Sequence, residues 1–344
     1  MVLHVAILVF VISSFFPATE NPHWFFRIPD FIRLQTIAIQ SLLLLLLIVL
    51  ENPFTTISWV LLAALIATLI YQIVKVFPYS SLYPRQKPDF PSDGMVSILA
   101  GNVLQDNKEF DLFKAEVNKF DPDLVLTMES DKTWEEGLSE LEKTYPFTVK
   151  IPLDNYYGMH LYSKIELNNV EVNYHVEEDV PSIFFEFPLS NNQTVFFACL
   201  HPAPPSPTEN ETSKERDAEL MVVGKKLREL DKPVVVCGDM NDVVWSRATR
   251  LFKKMTAMID PRIGRGFFPT YHAGYWLMRF PLDHLFHTKD LFVKKMVRTE
   301  NFGSDHFGMY YEIHHKTNKK PSTKGKLNGD EKEEVEEKIK EGKE

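Results

Sequence analysis

The stretch VVVCGDMND, Val234 to Asp242, decides how the rest of the chain is read. Its first residues are an uninterrupted apolar run, the pattern of a buried strand. Gly238 ends that run, and Asp239, Asn241 and Asp242 follow within four positions. A strand that stops by placing two acids and an amide together marks either a turn or one corner of a site.

Outward from this point the sequence alternates strand and helix. MVSILAGN reads as a strand ending at Asn102, and DPDLVLTMES as one ending at Glu129. Between them KEFDLFKAEVNKF spaces Phe110, Phe113, Val117 and Phe120 near helical intervals. A second helix is predicted through Trp134, Leu138 and Leu141. YGMHLYSK, PSIFFEFPL and TVFFACLH read as further strands, the last ending at His201. The helix SKERDAELMVVGKKLREL leads into the opening stretch, and PLDHLFH and FGMYYEIHH follow it. The class is therefore α/β. Asn102, Glu129, His201, Asp239 with Asn241, Asp283, and Asp305 with His306 all lie at or just beyond the ends of these runs. In stacked sheets such ends converge on one rim, so the set reads as a single site.

The first ninety residues are different in kind. LQTIAIQSLLLLLLIVL (34–50) and SWVLLAALIATLIYQIV (58–74) carry no charge and approach the ~20 apolar residues a spanning helix needs. VLHVAILVFVISSFF, at the N-terminus, lacks the basic start and small-residue cleavage site of a signal peptide and reads as a first span. The expectation is a membrane region over 1–76 with three transmembrane helices, at about 2–16, 34–50 and 58–74. A Pro-rich linker (77–93), a domain (94–315) and a disordered charged tail (316–344) follow. The predicted location is the cell membrane, multi-pass, with the lipid bilayer as partner. Arg27, Arg33, Lys75, Arg85 and Lys87 flank the spans on the domain's side, which by the positive-inside rule favours a cytoplasmic domain.

Of 344 residues, 47 are acidic and 38 basic, a net charge of −9; the two ends each carry +1, so −11 resides in residues 93–315. An acidic domain is poorly suited to phosphate backbones, whose binding relies on Lys and Arg. Cys199 and Cys237 read as small buried hydrophobes.

AGNV, TMES, GMHLYSK, LHPAPP, GDMND, PLDHLF and GSDHFGM, in this order, resemble the endonuclease/exonuclease/phosphatase superfamily over about residues 94–315. That superfamily includes deoxyribonucleases of the pancreatic type, abasic-site endonucleases, inositol-polyphosphate phosphatases and neutral sphingomyelinases. With the spans in front, the chain is similar to its bacterial membrane-anchored branch, which includes teicoplanin-resistance membrane proteins. In that branch the domain faces outward, against the charge count, so the side of the membrane stays open. The resemblance implies a four-layer α/β/β/α sandwich and hydrolysis of a phosphate ester with Mg²⁺ or Mn²⁺. It implies Glu129, Asp305 and Asn102 as metal ligands, and Asn102 and Asn241 as holders of a phosphate oxygen. Asp239 would orient or deprotonate the attacking water, His306 paired with Asp283 would stabilise charge on phosphorus, and His201 would protonate the leaving oxygen. One departure is Leu104, where the family often has a second acid.

Other residues receive structural readings. Asp242 is expected to cap the next helix and Ser304 to support Asp305 in a turn. No zinc-ligand spacing, G-x-S-x-G elbow or P-loop is present. GRGFFPTYHAGYWLMRFPLD, running into Asp283, reads either as packing or as an apolar wall facing a lipid or the bilayer, with Arg262, Arg265 and Arg279 available to hold phosphate. The reading is a membrane-anchored metal-dependent phosphoesterase acting on a lipid-linked or small phosphate mono- or diester. A tethered nuclease is the alternative, and a non-catalytic membrane binding module the third.

Overall fold

The computed structural model describes residues 1–85, 91–316 and 320–344. Its strands form two sheets, of six and five strands. The first runs in the order β10 (Leu291–Arg298), β11 (Met309–Lys316), β1 (Ser92–Asn102), β2 (Leu124–Met128), β4 (Met159–Ser163), β3 (Phe147–Ile151). The second runs β5 (Asn168–Asn173), β6 (Ser182–Pro188), β7 (Thr194–Leu200), β8 (Val234–Asp239), β9 (Asp283–His287). Their inner faces share one core, in which Ile98, Leu126 and Ile313 meet Phe185, Phe197 and Cys237. Helices α5 (Phe110–Phe120) and α6 (Lys132–Gly137) cover the outside of the first sheet through Phe113, Val117 and Trp134. Helices α7 (Lys214–Leu227) and α8 (Arg247–Thr256) cover the second through Leu220, Val223 and Phe252. The result is the expected four-layer α/β/β/α sandwich.

The pairing directions explain why the polar strand ends converge. β1 lies parallel to β2, and β7 parallel to β8, so the C-terminal ends of each pair point the same way. β9 is antiparallel to β8, with Asp239 opposite Asp283, so its beginning lies on that same rim. β11 is antiparallel to β1, which brings Asp305 and His306, just before it, to the end of β1.

Three strands carry little signal in the sequence. β3 and β5 are edge strands, and β5 is almost wholly exposed, so neither needs the apolar alternation that announces a strand. β10, the other edge of its sheet, is interrupted by Lys294 and Lys295, where the register shifts.

The membrane region departs from expectation. Among the described residues two helices are long and apolar enough to cross a bilayer, α3 (Arg33–Leu50) and α4 (Thr56–Val76). The third expected span is α1 (Val2–Ser13), whose 12 residues reach ~18 Å at 1.5 Å per residue, against the ~30 Å of a hydrocarbon core. It packs through Ile7 against Leu43, Leu47, Leu61 and Leu65 of α3 and α4. Nor does a free stalk follow the hairpin. Val76 and Tyr79 are buried in the domain's own core, and Lys253 donates to the Tyr79 hydroxyl at 2.7 Å. Helix α2 (Trp24–Phe31) is bound to the domain as well, through Trp245 Nε1 to the Asp30 carbonyl at 2.8 Å. Residues 86–90 of the expected linker lie outside the described residues.

The tail expected to be disordered folds. Leaving aside residues 317–319, which lie outside the described residues, it forms α9 (Gly329–Glu341), opened by a capping box between Asn328 and Glu331. Val335 is buried against the domain, and Lys338 pairs with the buried Asp217 of α7 at 2.8 Å.

Candidate active site

Asp239 is the hub. It is the last residue of β8, and its approach is set by Gly238, where φ is +137° and a Cβ would lie 2.0 Å from the Leu200 carbonyl oxygen. The glycine thus permits close contact with β7 next to His201, rather than with a reacting group as its place in the motif suggests. Asp239 Oδ1 accepts from the Asn241 backbone N–H at 2.9 Å. Its Oδ2 accepts from Asn102 Nδ2 at 3.2 Å and faces His306 Nε2 at 3.5 Å. His306 Nδ1 lies 2.9 Å from Asp283 Oδ2. On the other side Asn102 Nδ2 donates to Glu129 Oε1 at 2.6 Å. Asn241 donates its side-chain amide to the Pro202 carbonyl at 2.9 Å, beside His201. All eight residues anticipated from the sequence therefore stand on one rim.

Several supports hold these side chains, of which the sequence singled out Ser304 alone, as a turn residue beside Asp305. The Ser304 hydroxyl donates to the Asn102 carbonyl at 2.9 Å and accepts the His306 N–H at 3.0 Å, tying β1 to the His306 loop. The Thr270 hydroxyl accepts the N–H of Asp283 at 3.2 Å. Tyr157 packs against His201 with the rings tilted and centroids 5.5 Å apart, and its hydroxyl donates to Glu209 at 2.5 Å. Apart from the Ser304–His306 contact, each partner is distant in sequence, and no short motif encodes such a contact. Glu129 holds φ at +57°, an uncommon conformation for a non-glycine residue and one that clusters at functional sites.

The family model described as "Endonuclease/Exonuclease/phosphatase family" matches residues 98–306, more than half of the chain. This protein belongs to the endonuclease/exonuclease/phosphatase family. Members are metal-dependent phosphoesterases and nucleases, and the chain is accordingly an enzyme acting on phosphate ester bonds. No curated protein matches it. Among solved structures it is similar to D. rerio TDP2 complexed with a single-strand DNA product, at 17% identity and TM-score 0.55, covering 64% of this chain and 99% of that one. It is similar at 15% identity and TM-score 0.54 to an endonuclease/exonuclease/phosphatase from Bacteroides vulgatus, covering 65% and 100%. The human Nocturnin catalytic domain with bound sulfate aligns at 17% identity and TM-score 0.50, covering 65% and 96%. At these identities the likeness is one of fold.

The electrostatics of this family member separate its two site histidines. Burial disfavours the His306 imidazolium, but Asp239, Asp283 and Asp305 outweigh it and raise the ring's pKa to about 10. Burial dominates at His201 and lowers it to about 4. His201 is therefore the harder of the two rings to protonate, and His306 the one that more readily holds a proton. Asn102 Oδ1 accepts the Leu104 N–H at 3.1 Å, which fixes the amide's orientation and turns the –NH₂ toward the two carboxylates. An amide so placed positions Glu129 and Asp239 through its –NH₂.

The remaining donors suit a hard dication. Burial chiefly, with a smaller push from Asp305 and Asp239, raises the Glu129 carboxyl to about 8, so a cation beside it would favour its charged form. Asp283 Oδ1 is buried without a hydrogen-bond partner. Oxygens of Asp239 and Asp283 and a nitrogen of His306 also lie within 4.8 Å of one another. There the His306 ring lies between the two acids, 2.9 Å from Asp283 and 3.5 Å from Asp239. Glu129 and Asp305 remain the carboxylates open to a metal.

The arginines proposed as phosphate holders are otherwise engaged. Arg262 is buried on Asp260 at 2.9 Å, Arg265 donates to the Val293 carbonyl, and Arg279 donates to the Ala273 carbonyl at 3.0 Å. Asp242 does not cap α8. Ser246 does, and Asp242 holds the Ser246 hydroxyl at 2.5 Å.

Proposed function

We propose that this chain is a membrane-anchored phosphoesterase hydrolysing a phosphate mono- or diester, lipid-linked or small, with Mg²⁺ or Mn²⁺. The observation that carries the reading is the His306 ring held between Asp239 and Asp283, with Asn102 joining Asp239 to Glu129. Asp239 orients the attacking water and takes its proton, and Asn241 helps fix that water and a phosphate oxygen. His306, kept charged by Asp283, stabilises the negative charge that builds on the phosphoryl oxygens and carries a proton for the leaving oxygen. His201, its Nδ1 buried without a partner, offers a hydrogen bond within the same pocket. Glu129 and Asp305 would hold the metal, which supplies charge neutralisation when bound. Helices α3 and α4 would cross the cell membrane, making the protein multi-pass with the bilayer as its standing partner.

Asp239→Asn and His306→Ala, assayed on phospholipid, polyprenyl phosphate, nucleotide and DNA with and without chelator, test the reading. Loss of chelator-sensitive hydrolysis in both variants, with folding intact, is expected. Near-normal turnover in both would refute the site. The tethered-nuclease reading draws on the fold shared with a TDP2 that holds a DNA product. The chain's net charge of −9 weighs against it.

A further inference from the structure

The segment between Thr270 and Phe280 joins the site to the α3–α4 hairpin. Its base is pinned to the catalytic loops. The Ala273 N–H donates to the Asp305 carbonyl at 2.6 Å, and the Tyr271 ring lies 4.9 Å from that of His306. Part of the aromatic run expected as an apolar wall is packing, since Phe267, Tyr271 and Phe280 pack with the core over the second sheet. The tip is not. Tyr275 is 64% exposed, Trp276 76%, Leu277 60% and Met278 46%. Contiguous exposed apolar residues in a soluble region mark a contact surface, and Trp and Tyr favour the layer where hydrocarbon meets headgroups.

What covers this tip follows from its neighbour. Gln35, in the first turn of α3, donates Nε2 to the Leu277 carbonyl at 2.7 Å. Phe31, just before α3, meets Phe280 edge-on at 6.0 Å. Leu34 and Ile37 of α3 pack against the same cluster as Phe280 and Tyr271. The tip therefore sits at the height where α3 begins, which is where a spanning helix enters the headgroup layer. Trp59, also mostly exposed, belongs to the hairpin itself, whereas Trp134 and Trp245 are buried in the domain.

We propose that Tyr275–Met278 is the membrane-facing lip of the active site. Its tip seats in the interface of the bilayer crossed by α3 and α4, and the site behind it takes phosphate esters borne on lipids in preference to the same ester free in water. This rests on the membrane-anchored phosphoesterase reading above and names its substrate source. A phosphate at headgroup height reaches Asp305 and His306 without leaving the bilayer, because the lip fixes the distance between membrane and catalytic loop.

The full chain in vesicles containing lipids brominated near the headgroup tests the seating without any turnover. Comparison with Trp276→Phe isolates the emission of Trp276, and its quenching by shallow bromines is expected; an unquenched Trp276 overturns the proposal. Turnover tests the selectivity. The triple variant Tyr275→Ser, Trp276→Ser, Leu277→Ser is assayed with Mn²⁺ on phosphatidic acid and phosphatidylglycerol in vesicles, and on glycerol 3-phosphate and bis(p-nitrophenyl) phosphate in solution. The vesicle substrates are expected to slow at least about tenfold while the soluble ones hold. Equal loss on both, or loss on neither, overturns the lip. If the unsubstituted protein hydrolyses none of the four, the phosphoesterase reading fails, and the quenching result still decides whether the lip touches the bilayer.

Discussion

His306 and His201 show how environment alone gives one residue type two characters. Both are buried on the same rim, yet His306 has three acids around it and His201 answers chiefly to desolvation. Their linkage to folding runs in opposite directions. The folded pKa of His306 lies above its unfolded value of ~6.5, so its stabilisation is complete below that pH and is lost as pH rises through about 10. For His201 the native state resists protonation, so stability falls as pH drops from ~6.5 toward about 4. In metal-free protein, imidazole NMR is expected to show His306 doubly protonated at neutral pH and His201 singly so. Urea unfolding of His306→Gln should differ from the unsubstituted protein by an amount that shrinks as pH climbs toward 10. Asp239→Asn, which removes the group assigned to take the proton, is expected to lower turnover by about 10²–10⁴-fold. The residue types of the site were legible because strand ends in a layered sheet carry its chemistry. Their orientations were not: the turn of the Asn102 amide depends on the Leu104 N–H, and the proton on His306 depends on acids from three separate segments.

At the scale of elements, α9 is the clearest departure from the sequence reading. Its composition offers only Val335 and Ile339 as apolar contacts, too little to specify a buried face. Order comes instead from where the helix lands. Arg247 meets Glu334 at 2.5 Å and Lys254 meets Glu331 at 2.5 Å, exposed or half-exposed pairs worth ~0–1 kcal/mol each. Lys338 is different, because its partner is buried. Burial alone would raise the Asp217 carboxyl, but Lys338 and Arg216 together hold it well below the usual range. Arg216 in turn donates to the Asn241 carbonyl at 3.0 Å, so the tail helix is three contacts from the site. Lys338→Ala is expected to cost about 1–3 kcal/mol in urea unfolding, by removing one cation from a buried acid that keeps the other. A cost within error of zero would mean that the pair is solvated.

At the scale of the whole molecule, the apolar α3–α4 hairpin and the domain share buried surface. Asp30 holds Arg33 and, through its carbonyl, Trp245, while Val76 and Tyr79 complete the core over the second sheet. Removing the first ninety residues should leave Trp245 Nε1 without its acceptor and uncover Phe280 and Leu282. A chain begun at Pro91 is expected to bind a hydrophobic dye and to melt lower than the full chain in detergent; equal melting would show that the contact adds nothing to stability.

The two-sheet sandwich came from the family resemblance of the motifs, while the sequence by itself determined the α/β class, the convergence of polar strand ends on one rim and the two long apolar helices. These follow from local patterns, since apolar runs set strands and helix lengths and the residues that end a run have nowhere else to go. Only the tertiary structure decided that His306 holds a proton more readily than His201, that Asn102 braces carboxylates, that the tail is a docked helix and that the domain sits directly on its hairpin. Each of those depends on what distant segments bring within a few ångströms, and burial and charge at that range are set by neighbours in space, which no local pattern of residues records.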